Sequence, residues 1–178
     1  MKNTLALMAA VSAFAFAANA GAMEFTPYVA ADYTYTDVQN LAEVNGGKVS
    51  VGTDYNKYFG TEVFYQRTGS DRVHSAGETN EYSLQTYGLD VNGYLPLGCD
   101  QAFALVGTAG IANIDLKYTP AGETRKTENG VGYRLGAGVE YKLTSNIAAR
   151  ALYRYTFTDK LGGLDHINEY SVGVKYSF

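Results

Sequence analysis

Gly130-Val-Gly-Tyr-Arg-Leu-Gly-Ala-Gly-Val-Glu-Tyr141 alternates without a break. One set is Val131, Tyr133, Leu135, Ala137, Val139 and Tyr141, and the other is Gly130, Gly132, Arg134, Gly136, Gly138 and Glu140. A period of two is the signature of a β-strand, whose successive side chains point to opposite faces. A soluble sandwich or barrel buries its large apolar residues, but the second set here is glycine and charge, with too little apolar volume to build a core. The apolar face is therefore expected to meet lipid, and the small, charged face to line a narrow interior.

Working outward, the same division recurs. Phe25, Val29, Ala31, Tyr33 and Tyr35 oppose Thr26, Tyr28, Ala30, Asp32 and Thr34. Ile147, Ala149, Ala151, Tyr153, Tyr155 and Phe157 oppose Ala148, Arg150, Leu152, Arg154 and Thr156. Tyr170, Val172, Val174, Tyr176 and Phe178 oppose Glu169, Ser171, Gly173, Lys175 and Ser177. Strands are expected over residues 24–36, 47–55, 59–69, 81–95, 102–118, 130–143, 147–158 and 167–178. Short connections (Asn56-Lys57-Tyr58, Pro96 to Gln101, Thr144-Ser145-Asn146) alternate with long ones over 38–46, 70–80, 119–129 and 159–166. The long ones are polar, carrying Asp71, Arg72, Glu123, Arg125, Lys126, Glu128, Asp159 and Lys160. The predicted fold is all-β: an eight-stranded antiparallel up-and-down transmembrane β-barrel, with four loops at one end and three turns and both termini at the other. In the fifth strand Phe103 and Leu105 fall in one phase and Ile114 and Leu116 in the other, which predicts a bulge between Gly107 and Asn113.

Aromatic placement fits a bilayer. Tyr133 and Tyr141 bracket Leu135, Ala137 and Val139. Eight residues at about 3.4 Å each, tilted by about 40°, rise roughly 20 Å, near the apolar height of such barrels. Tyr33, Tyr35, Tyr155 and Phe157 join Tyr133 and Tyr141 as expected headgroup-level belts.

Residues 1–20 read as a secretory signal peptide: Lys2 supplies the positive start, Leu5 to Ala17 the apolar run, and Ala18-Asn19-Ala20 the cleavage site, with Ala20-Gly21-Ala22 as a second choice. Residues 23–178 then form one barrel domain. No later stretch approaches the roughly 18 apolar residues of a membrane helix. Without Lys2 the chain has 13 basic against 18 acidic residues, net −5, which argues against nucleic acid as a partner. Cys99 is the single cysteine, so no internal disulfide forms.

The inward positions carry Asp32, Asp54, Glu62, Asp90, Arg134, Glu140, Arg150, Arg154, Glu169 and Lys175. In so narrow a lumen these are expected to pair and plug it, since an isolated buried charge is costly. The alternative is a charge-lined ion path. If Thr144-Ser145-Asn146 is a three-residue turn, facing residues sum to 290, so Glu140 faces Arg150 and Gly136 makes room for Arg154. Arg150→Ala is then expected to strand Glu140. Neither His74-Ser75 nor His166-Ile167 makes a recognisable catalytic or metal-binding motif; no enzyme, cofactor or metal is expected.

The ending Tyr170-Ser-Val-Gly-Val-Lys-Tyr-Ser-Phe178 resembles the C-terminal signature of outer-membrane barrels. Together with the signal peptide and the glycine-rich 130–140 strand, it makes the chain similar to the small opacity-type and OmpA-like transmembrane domains. The resemblance implies a Gram-negative outer-membrane location with both termini periplasmic. It also implies recognition of Tyr170, Val172, Val174, Tyr176 and Phe178 by the barrel-assembly machinery. Outer-membrane lipid and lipopolysaccharide are the implied surroundings. With Phe178 last, the peptidoglycan-binding domain of longer OmpA-like proteins is expected to be missing. The functional expectation is a structural or surface-presenting barrel; the alternatives are an adhesin binding a host factor through its loops and a small porin-like pore.

Overall fold

In the computed structural model the described residues are 25–38, 42–69, 71–75, 78–98, 101–119, 126–161 and 164–178. The signal segment and Cys99 lie outside them. Nine strands are described: β1 (Thr26–Val38), β2 (Ala42–Asn56), β3 (Phe59–Thr68), β4 (Asp71–Ser75), β5 (Glu78–Leu97), β6 (Phe103–Thr119), β7 (Lys126–Lys142), β8 (Ile147–Leu161) and β9 (Leu164–Ser177). Apart from β3 and β4, which both pair with β5, sequential neighbours pair antiparallel, and β1 closes the cylinder by pairing with β9 from Tyr28↔Ser177 to Val38↔Ile167. Closure pairs the strands on both sides around the middle of the wall, which is what lets strands cross lipid without unpaired backbone there.

The wall has eight staves, because β3 and β4 are successive parts of one. β3 pairs with the lower part of β5 (Phe59↔Gly93 to Arg67↔Gln85) and β4 with its upper part (Asp71↔Tyr82 to Ser75↔Glu78), shifted by one residue. Tight connections close the turn end. Lys57 and Tyr58 link β2 to β3, and the Tyr58 N–H donates to Asn56 Oδ1 at 2.8 Å. Thr144 Oγ1 accepts from the N–H of Ile147 at 3.0 Å in the β7–β8 turn. Gly98 and Gln101 take positive φ (80° and 52°) in the β5–β6 turn.

At the other end the strands run further than the alternation predicts. Much of 38–46, 70–80, 119–129 and 159–166 is paired strand, so the expected loops are the tips of hairpins that continue the wall. Their polar residues hide this, since a ribbon wetted on both faces needs no hydrophobic alternation.

Facing follows the predicted parity. In β1, Tyr28, Ala30, Asp32, Thr34 and Thr36 are buried while Val29 and Tyr33 are exposed; in β7, Arg134 and Glu140 are buried while Tyr133 and Leu135 are exposed. The predicted bulge in β6 is absent: its register with β5 and with β7 holds from Phe103 to Tyr118 without a shift. Ile114 and Leu116 point inward instead, and with Val44, Leu84 and Ile167 they form an apolar cluster inside the barrel at its loop end. The fifth strand reverses its polarity along its length because the lumen does: ionic in the middle, apolar toward the loops.

Candidate functional site

The lumen holds the chemistry. Inward residues from seven strands bring Asp32, Lys48, Glu62, Asp90, Arg134, Arg150, Arg154 and Glu169 into one layer in which no residue is more than 6 % exposed. Arg150 lies at its centre: Nη2 is 2.7 Å from Asp32 Oδ2 and Nη1 is 2.7 Å from Glu62 Oε2. Lys48 Nζ approaches the same two carboxylates at 3.2 and 3.4 Å. Arg154 reaches Glu169 at 3.1 Å, Asp90 at 3.4 Å and Glu62 at 3.7 Å, and Arg134 adds Glu169 at 3.2 Å. Four bases thus meet four acids in one connected, neutral network. Pairing with good geometry and extra hydrogen bonds is what makes burial of so much charge tolerable. Arg150 Nη2 also donates to Ser50 Oγ, and Arg154 Nη1 to Ser171 Oγ, each at 3.0 Å. The Arg134 guanidinium covers the Phe64 ring, 4.2 Å from its centroid, a contact that strengthens in a desolvated setting.

Glycines seat these groups. Across the ladders Asp32 faces Gly173, Asp54 faces Gly60, Asp90 faces Gly110 and Arg154 faces Gly136. A Cβ at Gly136 would stand 2.5 Å from the Tyr153 carbonyl oxygen, 2.7 Å from Thr108 Cγ2 and 2.9 Å from Arg154 Cγ. Strand backbone cannot yield that space, so Gly136→Ala is expected to cost about 1–3 kcal/mol of barrel stability by overpacking. Urea unfolding of the refolded protein in vesicles would show this; a midpoint equal to wild type would remove the steric role.

Toward the turn end a second group hangs on Lys175, whose Nζ is 2.7 Å from Asp54 Oδ2 and 3.3 Å from Glu140 Oε1. The ammonium also lies 4.4 and 4.8 Å from the Tyr28 and Tyr94 ring centroids. Below it opens a vestibule of about 260 Å³ lined by Asp54, Lys57, Glu140, Lys142 and Lys175 among others. Tyr28 donates to Glu62 Oε2 at 3.2 Å and so joins the two layers.

Every predicted lumen residue faces inward, Asp54 the least enclosed. One pairing differs from expectation. Glu140 and Arg150 are register partners on the same face, but Arg150 reaches across the lumen to Asp32 and Glu62, and Glu140 is paired with Lys175. Arginine is long enough to reach across a narrow barrel, and two carboxylates, Asp32 two staves away and Glu62 on the opposite wall, offer more than one beside it. Lys48 was not among the predicted lumen charges, although it shares the even phase of Asp54 in β2. Tyr28, Tyr94, Gln66 and Asn92 are further inward polar groups that an inventory of charges overlooks.

On the outer wall Tyr33, Tyr133, Tyr141 and Phe157 are exposed, while Tyr35 and Tyr155 are partly covered by Tyr170 and by Phe157 and His166. Tyr141 lies opposite Phe103 near the turn end, whereas Tyr133 lies opposite Phe157 toward the loops. His166 stacks on Tyr155 with centroids 5.1 Å apart; the side chain of His74 lies outside the described residues. Among the described residues no group of three or more His, Cys, Asp or Glu side chains could hold a metal ion.

A family model described as outer membrane protein beta-barrel domain matches residues 4–178. A 22 kDa outer membrane protein of Rhizobium leguminosarum bv. viciae is 34 % identical over 119 residues, covering 62 % of this chain and 51 % of that protein. The chain thus spans about half the length of that curated relative. Among solved structures, Neisserial surface protein A superposes with a TM-score of 0.70 at 19 % identity, covering 89 % of this chain and all of the other. Ail, the attachment invasion locus protein of Yersinia pestis, gives 0.60 at 14 % identity, covering 89 % and all of the other. The N-terminal barrel of Pseudomonas aeruginosa OprF gives 0.58 at 16 %, covering 87 % and all of the other. At these identities the likeness is one of fold.

Proposed function

Because the chain belongs to the outer membrane protein beta-barrel domain family, and is an outer-membrane barrel crossing the bilayer with its strands, we propose that it is a sealed scaffold presenting its hairpins at the cell surface. The observation that carries this reading is the two-tier closure of the lumen. In the neutral ion-pair layer each described charged side chain faces an opposite charge, and the apolar cluster of Val44, Leu84, Ile114, Leu116 and Ile167 lies above it. An eight-stranded barrel has an interior just wide enough for side chains, and here they occupy it above the turn-end vestibule.

In this reading the hairpin tips face outward and both termini face the periplasm, as in a barrel whose short turns are periplasmic. The outward row Tyr170, Val172, Val174, Tyr176 and Phe178 of β9, with Phe178 68 % exposed, supports the assembly-signal role of this strand. Refolded protein in planar bilayers is expected to give no conductance steps. Regular ohmic steps from protein that also shows the gel mobility of a folded barrel would replace the scaffold with a pore.

A further inference from the structure

The outer wall is not uniform. Across β9, β1, β2 and β3 the outward positions are held by short side chains, Val174, Ala31, Val29, Val49, Val51 and Val63, and they leave an apolar hollow of about 900 Å³. Tyr65 and Tyr87, register partners on β3 and β5, wall it toward the loops, and Tyr176 lies at its other end. The volume is at the upper end of the roughly 300–1,000 Å³ of small-molecule sites.

Arg67 stands one outward position beyond Tyr65 on β3, about 7 Å closer to the loops. It is exposed and has no ionic partner among the described residues. Its register partner on β2 is Gly47, where an added Cβ would meet only one backbone oxygen, at 3.9 Å, so the wall beside the guanidinium is open. Among the charged groups whose side chains are described on the outer face near the loops, the others are acids, Asp37, Glu43 and Asp115, and Arg67 is the cation next to the hollow.

We propose that this face is a lipid seat: an acyl chain of an anionic lipid bearing a phosphate monoester lies in the valine-lined hollow while Arg67 holds that phosphate, which a zwitterionic phosphodiester lipid does not offer. The site rests on the orientation proposed above, which puts Arg67 and the tyrosine hydroxyls at headgroup depth in the outer leaflet. Guanidinium matches phosphate oxygens in a bidentate geometry that lysine lacks. The tyrosines supply an apolar ring below and a hydroxyl above, as residues at a membrane interface do.

The test is native mass spectrometry of the refolded barrel in mixed micelles, using bisphosphoryl lipid A, the same lipid stripped of phosphate, and phosphatidylcholine as probes. The parent is expected to retain one bisphosphoryl lipid A in preference to the other two. Arg67→Gln is expected to lower that retention about fivefold, the contribution of one interfacial cation. Val51→Phe, which fills the hollow and leaves Arg67 in place, is expected to lower retention of all acylated probes. Equal retention by parent and Arg67→Gln, or equal retention of phosphorylated and stripped lipid, would overturn the site. Gel mobility checks that each variant folds. Protease accessibility of the hairpins on whole cells reports orientation separately, so a reversed barrel and a barrel without this site give different results.

Discussion

Arg150→Ala is expected to lower the unfolding free energy of the barrel by about 3–5 kcal/mol, the range for removing one partner from a buried ion pair. The loss falls on Asp32 and Glu62, whose carboxylates each lie 2.7 Å from the guanidinium; as cationic partners they would keep Lys48, at 3.2 and 3.4 Å, and for Glu62 the more distant Arg154, at 3.7 Å, beside the Tyr28 hydroxyl at 3.2 Å. A double-mutant cycle separates this arrangement from simple cross-strand pairing. Arg150→Ala with Glu62→Gln should couple strongly, because the second change relieves the charge that the first uncovers. Arg150→Ala with Glu140→Gln should be nearly additive, since Glu140 is held by Lys175. Urea unfolding in vesicles, followed by gel mobility, measures both. Strong coupling to Glu140 with none to Glu62 would refute the cross-lumen geometry.

Ala137→Arg is the second large effect. Ala137 is on the outer face of β7, midway between Tyr133 and Tyr141, where the wall should cross the middle of the bilayer. A guanidinium there is expected to destabilise by about 2–4 kcal/mol. Asn129→Arg on the same face and strand, eight residues nearer the loops, should cost no more than about 1 kcal/mol. The contrast reads depth, because the two changes share strand, face and charge. Equal effects at the two sites would mean that this face does not see a bilayer.

Orientation of the side chains was legible in the sequence because it rests on parity. The alternation of 130–141 and the glycines opposite charges determine which face is inside, and the short 144–146 turn determines the β7–β8 register; Gly136↔Arg154 and Glu140↔Arg150 are both found. Ionic partners were not legible, because inside a closed barrel a long side chain has several walls within reach, as Arg154 pairs with acids on β3, β5 and β9, and sequence reports only the adjacent one. The inward turn of Ile114 and Leu116 was misread for a related reason. A change of polarity along one strand looks like a change of face unless the neighbours are known, and here Val44, Leu84 and Ile167 come from three other strands. The length of the hairpins escaped because polar ribbons alternate in nothing that a hydrophobic pattern records.

The position of that apolar cluster, beneath the hairpin tips, relieves the tips of any duty as a stopper. If the tips face outward as proposed, their residues can be exchanged, lengthened or cut back under selection from outside the cell while the seal beneath them stays intact. In the proposed sealed barrel, the vestibule at the opposite end is correspondingly a blind alley: a solute that enters past Lys57 and Lys142 has to leave by the same mouth.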